Sequence, residues 1–178
     1  GQFLKGAAQM DQHARNAPES ENLPLLAALI SVWNTTYLKY QQQAIIPYAA
    51  PLRKLAPHVQ QLNMESNGKA VDVSGALLPE PSGTVIFGEP GTNAQHSFFQ
   101  SAHQGRPFPI DFIGLRRPRC PQYNARSKGV TNHQELWINM VAQARALAVG
   151  QPSDDKSRFF GGNRPSSCIV LDDLEPVN

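Results

Sequence analysis

A chain of 178 residues, 40% of them hydrophobic and 17% charged, can bury one core or part of one. Its 16 basic and 14 acidic residues leave a net charge of +2 with no long run of one sign, which argues against a nucleic-acid arm or a polybasic membrane patch. The two cysteines, Cys120 and Cys168, stand outside any CxxC or CxxH pattern, so reduced thiols in a cytoplasmic setting are expected rather than a disulfide scaffold.

No signal peptide opens the sequence, and its longest apolar stretch, from Leu23 to Trp33, falls short of the ~18 residues that span a bilayer. Neither a membrane nor a nucleic-acid partner is expected. A first residue other than Met, and a last strand-like run close to the end, suggest a piece of a longer polypeptide.

Taken in chain order, Asn22 can cap a helix from Leu23 to about Leu38, with Pro24 in its first turn. Leu25, Leu26, Leu29, Ile30, Trp33 and Tyr37 recur at helical spacing and predict a largely buried helix. Residues 44–48 read as a short strand ending at Pro47. A second helix is predicted from near Pro57, with Val59 and Leu62 on one side and Gly68 as a left-handed end.

Thr84-Val85-Ile86-Phe87 is short, apolar and β-branched, which suits a buried strand, and Gly88-Glu89-Pro90-Gly91 is a turn. Thr92 and Gln95 fit a capping box for a helix carrying Phe98, Phe99 and Ala102. Residues 109–113 predict a strand, followed by the basic, proline-rich loop Arg116-Arg117-Pro118-Arg119, read as solvated. Asn132 is the expected cap of a long helix presenting Leu136, Met140, Val141, Ala144, Leu147 and Ala148, stopped by Gly150. Residues 167–171 form the last strand. From residue 57 onward, helices and strands alternate, the pattern of an α/β fold with a parallel sheet covered on both faces. Ligands of such sheets bind beyond the carboxyl ends of the strands, which places residues 88–91 at a binding edge.

Two stretches could carry chemistry. In Gly88-Glu89-Pro90-Gly91-Thr92-Asn93-Ala94-Gln95-His96, a strand end, a glycine turn and a helix start put backbone N–H groups and His96 together. In Gln60-Gln61-Leu62-Asn63-Met64-Glu65-Ser66-Asn67-Gly68-Lys69, Glu65 meets the unfavourable field of a helix C-terminus, a setting that suits a general base. The blander alternatives are a structural histidine and an exposed glutamate paired with Lys69. No HExxH, GxGxxG, P-loop or GxSxG pattern occurs, so zinc, nucleotide and serine-hydrolase chemistry are not signalled. His13, His58, His103 and His133 have no spaced partners and are read as surface or packing residues.

Together these words resemble two segments of the glucose-6-phosphate isomerase (phosphoglucose isomerase) family, in the family's order and at about its spacing. The resemblance extends to His103-Gln104-Gly105, residues 109–113, Gly162-Asn163-Arg164-Pro165-Ser166 and Ala8-Gln9-Met10-Asp11. It implies a sugar isomerase (SIS) fold, a three-layer αβα arrangement around a parallel sheet, present here in part. Residues 1–50 would be a helical lead-in and residues 51–178 part of the second SIS domain.

The resemblance also implies an aldose–ketose isomerase of glucose 6-phosphate and fructose 6-phosphate, working through a cis-enediol. Glu65 is then the base, Gln61 contacts the substrate, and His96 assists ring opening, reaching the site of the neighbouring subunit in a homodimer. No metal or organic cofactor is implied. The family's Gly-Gly-Arg word, its Ser/Thr-rich phosphate loop and its downstream lysine have no counterpart in this sequence, and Ala94 stands where a glycine is common. The isolated segment is therefore expected to be inactive, and a non-catalytic sugar-phosphate-binding or structural piece is the competing reading.

Overall fold

The computed structural model describes residues 1–176. Two helices lead the chain, α1 (Gln2–Asn16) and α2 (Leu23–Val32). Asn22 caps α2 as expected, its Oδ1 accepting from the Leu25 N–H at 3.1 Å. A π-helical turn over Trp33–Tyr37 continues it. Contrary to the predicted burial, no residue of α2 is buried, and Leu29, Ile30 and Trp33 are half exposed. The reason is position: α2 packs on α1 and its own continuation rather than on the sheet.

Strand β1 (Gln42–Pro47) follows, then α3 (Leu55–Gln60), a π-helical turn over Gln61–Glu65, and β2 (Val85–Phe87). Next come α4 (Gly91–Ala94), α5 (Phe99–Gln104) and β3 (Ile110–Leu115). The small pair β4 (Arg126–Ser127) and β5 (Val130–Thr131) precedes α6 (Asn132–Val149), and β6 (Ser166–Leu171) closes the order. The main sheet is parallel throughout, in the order β2-β1-β3-β6. β1 falls within the first 50 residues yet lies in the middle of the sheet, paired on both sides.

The period-2 alternation of the strands divides the core. Ala44, Ile46, Ile110 and Phe112 face α4, α5 and α6, where they pack with Ala94, Phe99, Ala102, Met140 and Leu147. Ile45, Ile86 and Ile113 face α3, against Ala56, Leu55 and Val59. The chain moves one way across the sheet from β1 to β2 and the other way from β2 to β3. Right-handed crossovers then require the two connections to lie on opposite faces, as they do. β2 is an edge strand, so only Ile86 is buried within it and Val85 is 45% exposed.

Several local expectations give way to longer-range partners. Thr131, not Asn132, caps α6, in a capping box completed by Gln134. Val141 and Ala148 point to solvent while Met140 and Leu147 are buried. Leu62 is 57% exposed because the π-helical turn rotates it away from Val59. Gly68 is not left-handed; it continues the turn, and a Cβ there would collide with the Met64 carbonyl. Gly150 does end α6 with φ +71°. The basic loop is exposed but clasped, with Arg116 and Arg117 paired to Asp172 and Asp173 beyond β6. Both cysteines are free.

Candidate active site

The Glu65 region is built on the free edge of β2. Val85 donates its N–H to the Gln41 carbonyl, so the carbonyls of Thr84 and Ile86 point away from β1. Two side-chain amides from the helix meet them. Gln60 Nε2 donates to the Ile86 carbonyl at 2.8 Å and Asn63 Nδ2 to that of Thr84 at 3.2 Å. The helix therefore runs back along β2 towards the amino end of the sheet, and Glu65 emerges there.

Beyond it, Ser82 ties the turn down through the carbonyls of Asn67 and Lys69, and Asn67 bonds Asn63 at 2.8 Å. Lys69 does not pair with the Glu65 carboxylate. Its ammonium donates to the Glu65 backbone carbonyl at 2.5 Å, closing the helix end. The carboxylate is exposed and has no hydrogen bond or ion pair among the described residues, and the Gln61 side chain is likewise exposed and free. A cleft of about 820 Å³ opens beside this turn, lined by Thr35, Lys39, Gln41, Glu80, Ser82 and Thr84 among others.

His96 belongs to the opposite end. β2 runs into Gly88-Glu89-Pro90-Gly91 at its carboxyl end, and α4 then lies on the other face, with Ala94 fully buried. The predicted capping box is absent: α4 starts at Gly91, before Thr92, and has no side-chain cap. Gln95 instead donates its amide to the Tyr48 hydroxyl at 2.8 Å. Gly91 sits directly over the Tyr48 ring, where any Cβ would overlap it. Burial holds the Tyr48 phenol above its ordinary pKa, against the lowering effect of the Gln95 bond. Pro90 and Gly91 line a cavity of about 290 Å³ at the carboxyl ends of the strands, with Tyr48, Arg53, Asn93 and Leu136.

Glu65 and His96 thus lie at opposite ends and on opposite faces of one sheet, both exposed. Gln61 goes with Glu65, one helical turn away. The remaining histidines have structural partners or none: His103 meets Gln143 at 2.9 Å and His133 the Arg116 carbonyl at 3.1 Å. Sequence reading passed over Tyr48, Gln60 and Asn63, whose roles depend on partners distant along the chain. No cluster of three or more His, Cys, Asp or Glu able to hold a metal occurs among the described residues. No helix among them is long and apolar enough to cross a membrane.

The profile of the phosphoglucose isomerase family matches residues 1–178. The chain belongs to the phosphoglucose isomerase family. It is 63% identical over 176 residues to a glucose-6-phosphate isomerase of Desulfosudis oleivorans, covering 99% of this chain and 32% of that protein. It is 46% identical to a cytosolic glucose-6-phosphate isomerase of Spinacia oleracea, across 99% of this chain and 33% of the relative. The crystal structure of a glucose-6-phosphate isomerase from Chlamydia trachomatis superposes with a TM-score of 0.94 at 42% identity, over 99% of this chain and 34% of that one. The chain therefore spans about a third of the length of these relatives, and the expected mixed α/β fold with a parallel sheet is the one it adopts.

Proposed function

We propose that this chain is the part of a glucose-6-phosphate isomerase that carries the proton-transfer base and the ring-opening histidine. The observation that carries the reading is the similarity of this whole chain to glucose-6-phosphate isomerases, at 63% identity to one of them, with Glu65 and His96 present in words that resemble the family's. The reaction interconverts glucose 6-phosphate and fructose 6-phosphate. His96 assists opening of the sugar ring. Glu65 then removes the proton beside the carbonyl, an enediolate forms, and the same carboxylate returns the proton to the neighbouring carbon. Gln61, one turn before Glu65, holds the substrate.

A base of this kind needs a free carboxylate on a fixed support. Glu65 has both: unpaired oxygens, and a π-helical turn fastened to β2, a distortion common at functional sites. The developing negative charge needs donors that this segment does not hold, and we assign them to other parts of the longer polypeptide. We assign residues 51–178 to the second of two SIS-type domains, with residues 1–50 as the lead-in that also contributes β1. The separation of Glu65 from His96 by the sheet supports a homodimer in which each site takes Glu65 from one subunit and His96 from the other. The cytosolic relative from Spinacia oleracea supports a cytoplasmic setting.

The test is isomerase turnover by the full-length protein and its Glu65→Gln variant. Turnover by the former and a fall of roughly 10²–10⁴-fold in the latter supports the assignment. An inactive full-length protein, or an active Glu65→Gln variant, overturns it. The isolated 178-residue segment is expected to show no turnover.

A further inference from the structure

We infer that Tyr48 is a positioning residue for His96, acting through Gln95. The inference rests on the reading of His96 as the ring-opening residue. α4 has only four residues, no side-chain cap, and a turn over residues 95–98 in place of a continuing helix. A single helical turn has no stability of its own, so its orientation is set by what it is fastened to.

Two fastenings converge on one side chain. The Tyr48 ring, 4% exposed and packed near Phe112, forms the floor on which Gly91 rests; only glycine leaves room for it. The Tyr48 hydroxyl accepts the Gln95 amide at 2.8 Å, immediately before His96. Ring contact fixes the start of α4 and the hydroxyl fixes its end. Because Tyr48 is the first residue after β1, both fastenings run to the centre of the sheet rather than to a loop. The phenol stays neutral throughout the range in which an enzyme of this kind is assayed, since burial raises its pKa.

Ring opening can be followed separately from isomerisation, because exchange between the α and β anomers of glucose 6-phosphate opens and recloses the ring without breaking a C–H bond. In the full-length Glu65→Gln protein, which blocks isomerisation, NMR exchange rates are measured with Tyr48→Phe, Gln95→Met, both, or His96→Ala added. Tyr48→Phe keeps the ring and removes the hydroxyl. It should slow catalysed anomer exchange roughly 10-fold, within the hundredfold that a 1 Å misplacement can cause. Gln95→Met should match it, and the double variant should be no slower than either, since both remove one interaction. The Kd for an open-chain sugar-acid phosphate should stay within about twofold, which a general structural defect would not allow.

Exchange in Tyr48→Phe within twofold of its parent, beside a slowed His96→Ala, overturns the inference alone. Slowing accompanied by lost affinity for the open-chain ligand assigns Tyr48 a structural role and also overturns it. An unaffected His96→Ala removes the reading of His96 and this inference with it, while the role of Glu65 is judged independently by turnover.

Discussion

The side-chain amide of Gln60 donates to the Ile86 carbonyl at 2.8 Å, on the edge of β2 that faces away from β1. With Asn63 and Thr84 it makes a two-point clip between a helix and a strand edge, and the clip brackets Gln61. An edge strand left bare presents unpaired carbonyls to any neighbour; here the same carbonyls set the height of the turn that carries Glu65. Gln60→Met should cost about 1 kcal/mol of stability, the usual net worth of one hydrogen bond. It should also lower kcat of the full-length enzyme roughly 10-fold, because Glu65 loses its register. Urea unfolding and steady-state kinetics check the two parts, and a stability loss with unchanged kcat would confine the clip to folding.

Asp111 faces the α3 side of the sheet, where Gln43 donates to its Oδ2 at 2.5 Å and Ser167 also bonds it. Desolvation by burial nevertheless dominates and holds its pKa above the ordinary aspartate value. In the interval between its unfolded pKa of about 3.9 and its higher folded pKa, the folded state binds more protons than the unfolded one. Its contribution to stability is therefore full below that interval and is lost as pH rises through the folded pKa. Relative to Asp111→Asn, the wild-type protein should lose stability as pH rises from about 4. Thermal midpoints across pH measure this; a flat difference between the two proteins would contradict it.

Met140 and Val141 are adjacent on α6 but face opposite ways, with relative exposures of 1% and 52%. Met140→Ala opens a cavity beneath Phe112 and Leu147 and should cost about 2–5 kcal/mol. Val141→Ala should stay within about 0.5 kcal/mol. Denaturation of the two variants side by side tests whether α6 is oriented as described.

The sheet between Glu65 and His96 makes the proposed dimer testable by mixing. Glu65→Gln and His96→Ala subunits, each inactive alone, should regain activity when dissociated and reassembled together. Random pairing puts half the subunits in mixed dimers, each with one complete site, so recovery should approach about a quarter of the wild-type rate. No recovery, with mixed dimers confirmed by mass, would place both residues in one subunit's site.

The alternation of β1, α3, β2, β3, α6 and β6 was legible because the strands show as short β-branched runs, such as Ile45-Ile46 and Val85-Ile86. The residues proposed for the chemistry were picked out as words rather than by physics, since Glu65 and His96 are exposed side chains whose surroundings nothing local dictates. What failed to show was whatever depended on distant partners. The apolar stripe of α2 indicates a face but not whether the sheet reaches it. α1 was covered only by the expected helical lead-in over residues 1–50; its apolar residues gather on one face, yet that face buries no residue. Gln95 looks like a capping residue until Tyr48, 47 positions away, takes its amide. The clip of Gln60 onto Ile86 spans 26 positions in the same way.

The central place of β1 also imposes a timetable on synthesis. Gln43 and Asp111, joined across the sheet, are 68 residues apart in the chain. At ~5–20 residues per second, a ribosome finishes β1 several seconds before β3 is available to cover its flank. During that interval Ile45 and Ile46 are exposed, and α2 has already emerged with its leucines facing solvent. The flank of β1 thus waits for β3, and that of β3 waits in turn for β6, so the two inner strands are each finished well before the neighbour that covers them.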